Sequence, residues 1–194
     1  MRKRIIMLAM ALCVAGIGLY AQLPFAMPDV AKPNIPSNTV NITAFGAKGD
    51  GNVLCTEAFA KAMKALSAKG GGRLVVPAGI WLTGPIQFEN CTELHLERGA
   101  LLLFTSDFDA YPNVSTVYEG NTANKKMAPL WAYRKHDIAI TGDGAVDAQG
   151  ERWRPSKQGK FTANQWKELT SGQCVAHKGV WYPDAKQDGE GGKE

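Results

Sequence analysis

The sequence predicts an all-β solenoid, in which short strands from stacked coils pair into parallel sheets. Short apolar segments that each end in a tight turn begin at Leu74, Leu94 and Ile138. We interpret the intervals as one coil and then two coils of about 22 residues each. Between these segments lie further strand candidates at residues 80–83, 85–88, 101–104 and 130–133. An antiparallel β-sandwich is the alternative, because short strands at this spacing are also typical of that class.

The N-terminus has the pattern of a secretory signal peptide. Residues 1–4 carry three basic side chains, residues 5–21 are largely apolar, and small residues precede Gln22. We therefore predict that residues 1–21 are removed and that the protein is exported, either periplasmic or secreted, with no stable membrane insertion after cleavage. A membrane anchor is the alternative, since 17 residues lie at the lower limit for crossing a bilayer.

Composition and charge narrow the classes of partner. The chain of 194 residues has 22 Lys and Arg against 18 Asp and Glu, and three of the bases precede residue 5. The remaining chain is almost neutral, so its charge gives no reason to expect nucleic acid as a partner. The hydrophobic fraction of 45% is sufficient to build a folded core.

The elements before the first coil can be predicted in order. Four prolines in residues 22–40 indicate an extended lead-in, residues 40–43 alternate as a short strand, and a glycine-rich turn follows. Residues 56–69 have an amphipathic helical pattern that ends at three consecutive glycines. We expect this helix to cap the N-terminal end of the coils, which occupy residues 41–150.

Cysteine and histidine spacing predicts no metal site. Cys55, Cys91 and Cys174 follow the signal peptide, an odd number that includes no Cys-x-x-Cys pair, and the three histidines lie 41 residues apart. Each cysteine is predicted to be a small buried hydrophobe, and no cofactor is expected.

Four segments, taken in order, resemble a known family. They are NITAFGAKGDG at residues 41–51, PAGIWLTGPI at 77–86, LHLERGALLLF at 94–104, and ITGDGAVDAQG at 140–150 followed by Trp153. Together they are similar to polygalacturonase-like glycoside hydrolases of family 28 over roughly residues 40–155. The departures are Leu54-Cys55, where polar residues are common, and Ala148, where Gly is usual.

The resemblance implies a right-handed parallel β-helix, an inverting hydrolysis of pectin or galacturonan, and two catalytic aspartates. The family's Asn-Thr-Asp, Asp-Asp, Gly-His-Gly and Arg-Ile-Lys motifs do not occur in this sequence. We therefore expect a C-terminally truncated, inactive portion with no catalytic residue, in which Asp143 and Asp147 are turn acids. The alternatives are a non-catalytic β-helix module that binds polysaccharide or serves assembly, and a pectate lyase-like enzyme.

Residues 151–183 form a basic, tryptophan-containing insertion. A capping box at Thr162 predicts a short helix that ends near Leu169. Aromatic rings beside cations suit an acidic polysaccharide, so the candidate substrate-binding residues are Arg152, Trp153, Arg154 and Trp166. The alternative is that the tryptophans pack this segment onto the solenoid. Residues 184–194 lack large apolar side chains and are predicted to be a disordered tail.

Overall fold

A computed structural model describes residues 29–118, 120–171 and 175–182. The chain divides into two units, residues 1–32 and residues 33–194. In the first unit, residues 29–32 are exposed and have no regular secondary structure. The predicted signal peptide, its anchor alternative and the predicted tail at 184–194 lie outside the described residues. The lead-in can be followed from residue 29 and remains irregular until the first strand begins at Thr39.

In the described part of the second unit, strands dominate and two α-helices accompany them. In chain order the elements are β1 (Thr39–Asn41), α1 (Thr56–Ser67), β2 (Gly72–Val76), β3 (Gly79–Thr83), β4 (Ile86–Gln87), β5 (Thr92–Leu96), β6 (Ala100–Phe104), β7 (Asn113–Tyr118), β8 (Asn121–Lys126), β9 (Leu130–Trp131), β10 (Ala139–Gly142), β11 (Ala145–Asp147), β12 (Ser156–Lys157), α2 (Ala163–Leu169), β13 (Val175–His177) and β14 (Val180–Tyr182). Short 3-10 turns occur at Ile42–Phe45, Phe108–Ala110, Gly150–Trp153 and Gln158–Lys160.

Three parallel sheets wind into a β-helix. The first sheet has the order β1-β2-β5-β10, the second β11-β6-β3, and the third β4-β9. The chain passes from the first sheet to the second and then to the third, and each return to the first sheet starts a new coil. The predicted all-β parallel β-helix is confirmed.

The spacing of the last coil differs from our prediction. Leu94 on β5 pairs directly with Ile140 on β10, so the residues between them form a single coil and not two. This coil is long because residues 106–128 leave it after β6, and β7 and β8 form an antiparallel hairpin there. The hairpin is rich in Asn, Lys and Thr. Strand prediction from the sequence relies on alternating apolar residues, so these polar strands were not predicted.

The predicted capping helix is present as α1, which ends at Ser67, two residues before the predicted end. Its buried face comprises Ala58, Phe59, Ala62, Met63 and Leu66, and it lies against β1, β2, β4 and β5. The strand predicted at residues 40–43 was wrong in its second half. The Asn41 side chain accepts a hydrogen bond from the Thr43 backbone N–H at 2.9 Å, and this bond starts a 3-10 turn in place of a longer strand.

Inward-facing side chains stack coil upon coil. In the first sheet Leu74 stacks on Leu94, and in the second sheet Trp81 stacks on Leu102; all four are buried. The equivalent side chain on β10, Ile140, is 48% exposed because no further strand covers it within the described residues. The core therefore reaches from α1 to the coil formed by β5 and β6.

The segment predicted as an insertion at residues 151–183 contains regular secondary structure in its described part. The capping box at Thr162 and Gln165 is present, and α2 ends at Leu169 as the sequence predicts. We did not predict the antiparallel sheet in the order β12-β14-β13 that accompanies α2. Over the part of the chain that is described, no helix combines the length and apolar character needed to cross a membrane.

Candidate functional site

A row of polar side chains crosses the outer face of the first sheet. Arg73 and Glu93 are paired in register, and Arg73 Nε donates to Glu93 Oε2 at 2.9 Å. Thr141, on the next strand, donates from Oγ1 to Glu93 Oε1 at 2.5 Å. His95 Nδ1 lies 2.7 Å from the same Thr141 oxygen. Because the Thr141 hydroxyl has one proton and gives it to Glu93, His95 must donate from Nδ1.

Glu93 is the centre of this row and is only 6% exposed. Burial raises the pKa of its carboxyl, but hydrogen bonds from Thr141 and Arg73 and the Arg73 charge outweigh burial, so the net pKa is lowered. A carboxyl with a lowered pKa is ionised at neutral pH and cannot act as a general acid. The row therefore joins three neighbouring strands, and its buried carboxylate is not suited to protonating a leaving oxygen.

A second cluster lies where the chain turns into the first sheet. The Cys91 sulfur, a His136 ring nitrogen and an Asp137 carboxylate oxygen all lie within 4.8 Å of one another. His136 Nδ1 is 2.7 Å from Asp137 Oδ2, and the Asn34 backbone N–H donates to Asp137 Oδ1 at 2.7 Å. The Asn34 hydrogen bond and, after it, His136 lower the pKa of Asp137.

Sequence reasoning missed this cluster because it counted histidine and cysteine spacings along the chain. Glu93 pairs with Ala139, so the corner residues two positions earlier, Cys91 and Asp137, lie at the same level of consecutive coils. Their separation of 46 residues equals the coil spacing in the first sheet. Knowledge of the strand register, rather than a local motif, was the signal that could have found them.

The four candidate substrate-binding residues occupy different environments. The Trp153 ring packs edge-on against Phe108 and Tyr111, with ring centroids 4.3 and 4.6 Å away. Arg152 and Arg154 flank it and are exposed. Within residues 29–118, 120–171 and 175–182, no carboxylate lies within 4.0 Å of either guanidinium.

Trp166 is on α2, where it packs against Phe161 at 6.1 Å between ring centroids. Trp153 is anchored to the residues that follow β6, while Trp166 is anchored to the segment around α2. Of the four candidates, Arg152 and Arg154 are therefore the two whose guanidinium N–H groups face solvent and are available to a ligand.

The two acids of the last coil are exposed. Asp147 Oδ1 accepts a hydrogen bond from the Gln149 backbone N–H at 2.8 Å, a local turn interaction. Asp143 lies in the turn between β10 and β11. Both side chains face solvent, so neither acid is held in an apolar pocket.

Comparisons with known proteins point to one kind of enzyme. No family model matches the chain. It is 33% identical over 126 residues to a probable polygalacturonase of Vitis vinifera, an alignment that covers 60% of this chain and 26% of the relative. It is also 33% identical over 131 residues to an exo-poly-alpha-D-galacturonosidase of Dickeya chrysanthemi, covering 62% and 21% of the two chains.

Solved structures agree with these relatives. A hyperthermoactive exopolygalacturonase of Thermotoga maritima matches with a TM-score of 0.60 and 40% identity, covering 64% of this chain and 28% of that one. A family 28 exopolygalacturonase of Yersinia enterocolitica matches with a TM-score of 0.53 and 31% identity, covering 58% and 21%. The chain thus spans about a quarter of the length of the relatives it matches. Over roughly 60% of its length, in sequence and in fold, this chain is polygalacturonase-like.

Proposed function

We propose that the protein containing these coils is an exported glycoside hydrolase of the polygalacturonase type, which cleaves glycosidic bonds in pectin or polygalacturonate. The similarity to the Thermotoga maritima exopolygalacturonase, at 40% identity and a TM-score of 0.60, carries this proposal. It combines sequence and fold over the same part of the chain. The curated relatives named above support hydrolysis and give no support to the lyase or module alternatives.

In this function Arg152 and Arg154 pair with the carboxylates of the polysaccharide. Both guanidiniums are exposed, and galacturonan offers a carboxylate on each sugar unit for bidentate hydrogen bonding. Trp153 holds the two arginines in place through its contacts with Phe108 and Tyr111. Trp166, which is partly buried on α2, offers an aromatic surface for a sugar ring.

The catalytic acid and base belong, in this proposal, to coils beyond the similar region. Inverting hydrolysis needs two carboxyls about 6.5 to 9.5 Å apart, one of them with a raised pKa. In this chain the pKa of Asp50, Glu93 and Asp137 is lowered, which is the wrong direction for the acid. The described coils then act as scaffold and substrate-binding surface, and hydrolysis requires the aspartate motifs that the sequence lacks.

Export rests on residues 1–21, whose basic start, apolar centre and small-residue end are typical of a cleaved signal peptide. A cleaved form would begin near Gln22. Hydrolysis of an extracellular polysaccharide requires such a location.

The test is to express the complete reading frame that includes these residues and to incubate the purified protein with polygalacturonate. We expect new reducing ends without an unsaturated uronate, because a hydrolase adds water whereas a lyase eliminates. The 194-residue chain serves as the control and should release nothing above background. Formation of an unsaturated product would establish a lyase, and polysaccharide binding without any cleavage would establish a module; either result overturns the proposal.

A further inference from the structure

We propose that Cys91, His136 and Asp137 bind a divalent transition-metal cation, Zn²⁺ first of all, at a corner where two consecutive coils meet. The three side chains offer a sulfur, an imidazole nitrogen and a carboxylate oxygen within 4.8 Å of one another. Its ligands are distinct from the proposed substrate-binding residues Arg152, Trp153, Arg154 and Trp166, and the site plays no part in the proposed hydrolysis.

The spacing of the donor atoms is near that of a tetrahedral site. Metal–ligand lengths of about 2.0 to 2.3 Å place neighbouring tetrahedral ligands about 3.3 to 3.7 Å apart. The donors lie within 4.8 Å of one another, so the widest separation must close by roughly an ångström, whereas the 2.7 Å contact between His136 Nδ1 and Asp137 Oδ2 must open if both atoms bind the ion. The His136 side chain is 65% exposed, so its ring can rotate toward Cys91 without disturbing the core.

The chemistry of the donors selects the ion. A thiolate and a carboxylate together carry two negative charges and balance a divalent cation, while imidazole and thiolate favour a borderline-soft metal over Mg²⁺ or Ca²⁺. The nearby Lys135 ammonium is engaged with Glu89 at 2.5 Å and does not compete as a counter-charge for the cluster. Three protein ligands leave a fourth position for water, as in open zinc sites.

The backbone holds the donors in place at both coils. The Cys91 N–H donates to the His136 carbonyl at 3.0 Å, and the His136 N–H donates to Asn90 Oδ1 at 3.2 Å. Asn34 donates to Asp137, which orients the carboxylate. A site whose ligands are already linked by hydrogen bonds loses less entropy when the ion binds.

The conformation of Cys91 also calls for an explanation. Cys91 and Asp137 have φ values of 57° and 53°, in the left-handed region. At the equivalent corner one coil earlier the chain has Gly71, with a φ of 116°. Glycine or asparagine adopts such a backbone at less cost than cysteine. Strain of this kind concentrates at functional positions, and a thiolate ligand accounts for it here.

The test is titration of the purified full chain with Zn²⁺, and with Co²⁺ as a spectroscopic probe. We expect one equivalent to bind, with a thiolate-to-cobalt charge-transfer band, and Zn²⁺ to slow alkylation of Cys91 in the unmodified chain. Cys91→Ser should abolish the band and weaken Zn²⁺ binding at least tenfold. Asp137→Asn should weaken binding while it keeps the left-handed backbone, because asparagine tolerates that conformation.

Two variants serve as matched controls. Cys55→Ser removes a buried thiol elsewhere, and His95→Asn removes an imidazole from the outer row of the first sheet; both should leave binding unchanged. Absence of one-equivalent binding by the unmodified chain would overturn the proposal. So would binding that survives Cys91→Ser but is lost in Cys174→Ser, because the site would then lie elsewhere.

Discussion

Thr141 donates a hydrogen bond to Glu93 across neighbouring coils, although the two residues lie 48 positions apart in the chain. Arg73 contacts the same carboxylate from the other side. Glu93 therefore links three strands of the first sheet through one buried negative charge. Its loss should lower the unfolding free energy of the whole stack.

Replacement of Glu93 by Gln should destabilise the chain at pH 7 by about 1.5 to 3 kcal/mol, the range for hydrogen bonds to a charged group. Because the folded pKa of Glu93 lies below its ordinary value of 4.5, the unfolded state takes up more protons as the pH falls. The stabilisation is thus complete above about pH 4.5 and is lost as the pH falls through the lower, folded pKa.

Urea unfolding between pH 3 and pH 7 measures this effect. The Gln variant should show a flatter dependence of unfolding free energy on pH in the acid range. Glu97→Gln is the control, because Glu97 is exposed just after the same strand. Equal pH dependence in the unmodified chain and the Glu93 variant would show that Glu93 has no special role.

Gly142, the last residue of β10, should tolerate no side chain. Its φ is 97°, and an added Cβ would lie 1.9 Å from the Leu96 carbonyl oxygen. Gly142→Ala should therefore cost at least about 2 kcal/mol, since the left-handed backbone alone costs 1 to 2. Gly150→Ala, where a Cβ meets nothing within 4 Å, should change the urea midpoint little. Similar midpoints for the two variants would contradict the close approach of the coils.

The unfolding free energy lost when an inward-facing side chain is truncated should differ sharply between coils. Leu94 is fully buried between its neighbours, whereas Ile140, its partner on β10, is 48% exposed. In the 194-residue chain Leu94→Ala should cost about 2 to 5 kcal/mol, the usual range for a buried large-to-small change. Ile140→Ala should cost less than about 1.5 kcal/mol, because little packing is lost. Equal losses in urea unfolding would mean that another part of the chain covers β10.

The sequence was sufficient for the regular coils and the cap. Leu74 and Leu94 stand in apolar segments with a clear alternation, and the buried face of α1 appears as a helical stripe. These elements follow from local patterns that one buried face imposes on a strand or a helix. The four segments that resemble polygalacturonase-like enzymes, taken in order, were specific enough to indicate the fold and the type of enzyme.

The misses that concern the last coil and the metal-ligating cluster depend on contacts between distant residues. The interval from Leu94 to Ile140 suggests two coils unless one knows that residues 106–128 leave the stack. The Cys91, His136 and Asp137 cluster forms only once that coil closes. The packing of Trp153 against Phe108 and Tyr111 likewise depends on where the loop after β6 folds. No local periodicity encodes such contacts.

Binding of polygalacturonate should depend on the arginines beside Trp153. The double substitution of Arg152 and Arg154 by Ala should weaken retention of the chain in a polygalacturonate-containing native gel by several-fold, and added salt should weaken the unmodified chain likewise. Arg98→Ala is the control, since Arg98 is an equally exposed cation in the turn after β5. If the control weakens retention as much as the double variant, binding is a matter of general charge, and Arg152 and Arg154 form no site.

In the stack, β10 lies directly on β5 and β11 lies directly on β6. This stacking predicts that Leu101 and Ala145, which are paired on the outer face of the second sheet, come within disulfide reach when both are replaced by Cys. The measurement is oxidation of this double variant, in a background that lacks the natural cysteines, followed by intact mass and mobility on a non-reducing gel. Ile80 with Ala145 provides the matched control pair, because Leu101 lies between them and two strand spacings are about 9.5 Å. We predict a cross-link between positions 101 and 145 and none between positions 80 and 145. Failure of the 101–145 pair to cross-link in folded protein would mean that another coil separates β6 from β11, and it would contradict the account.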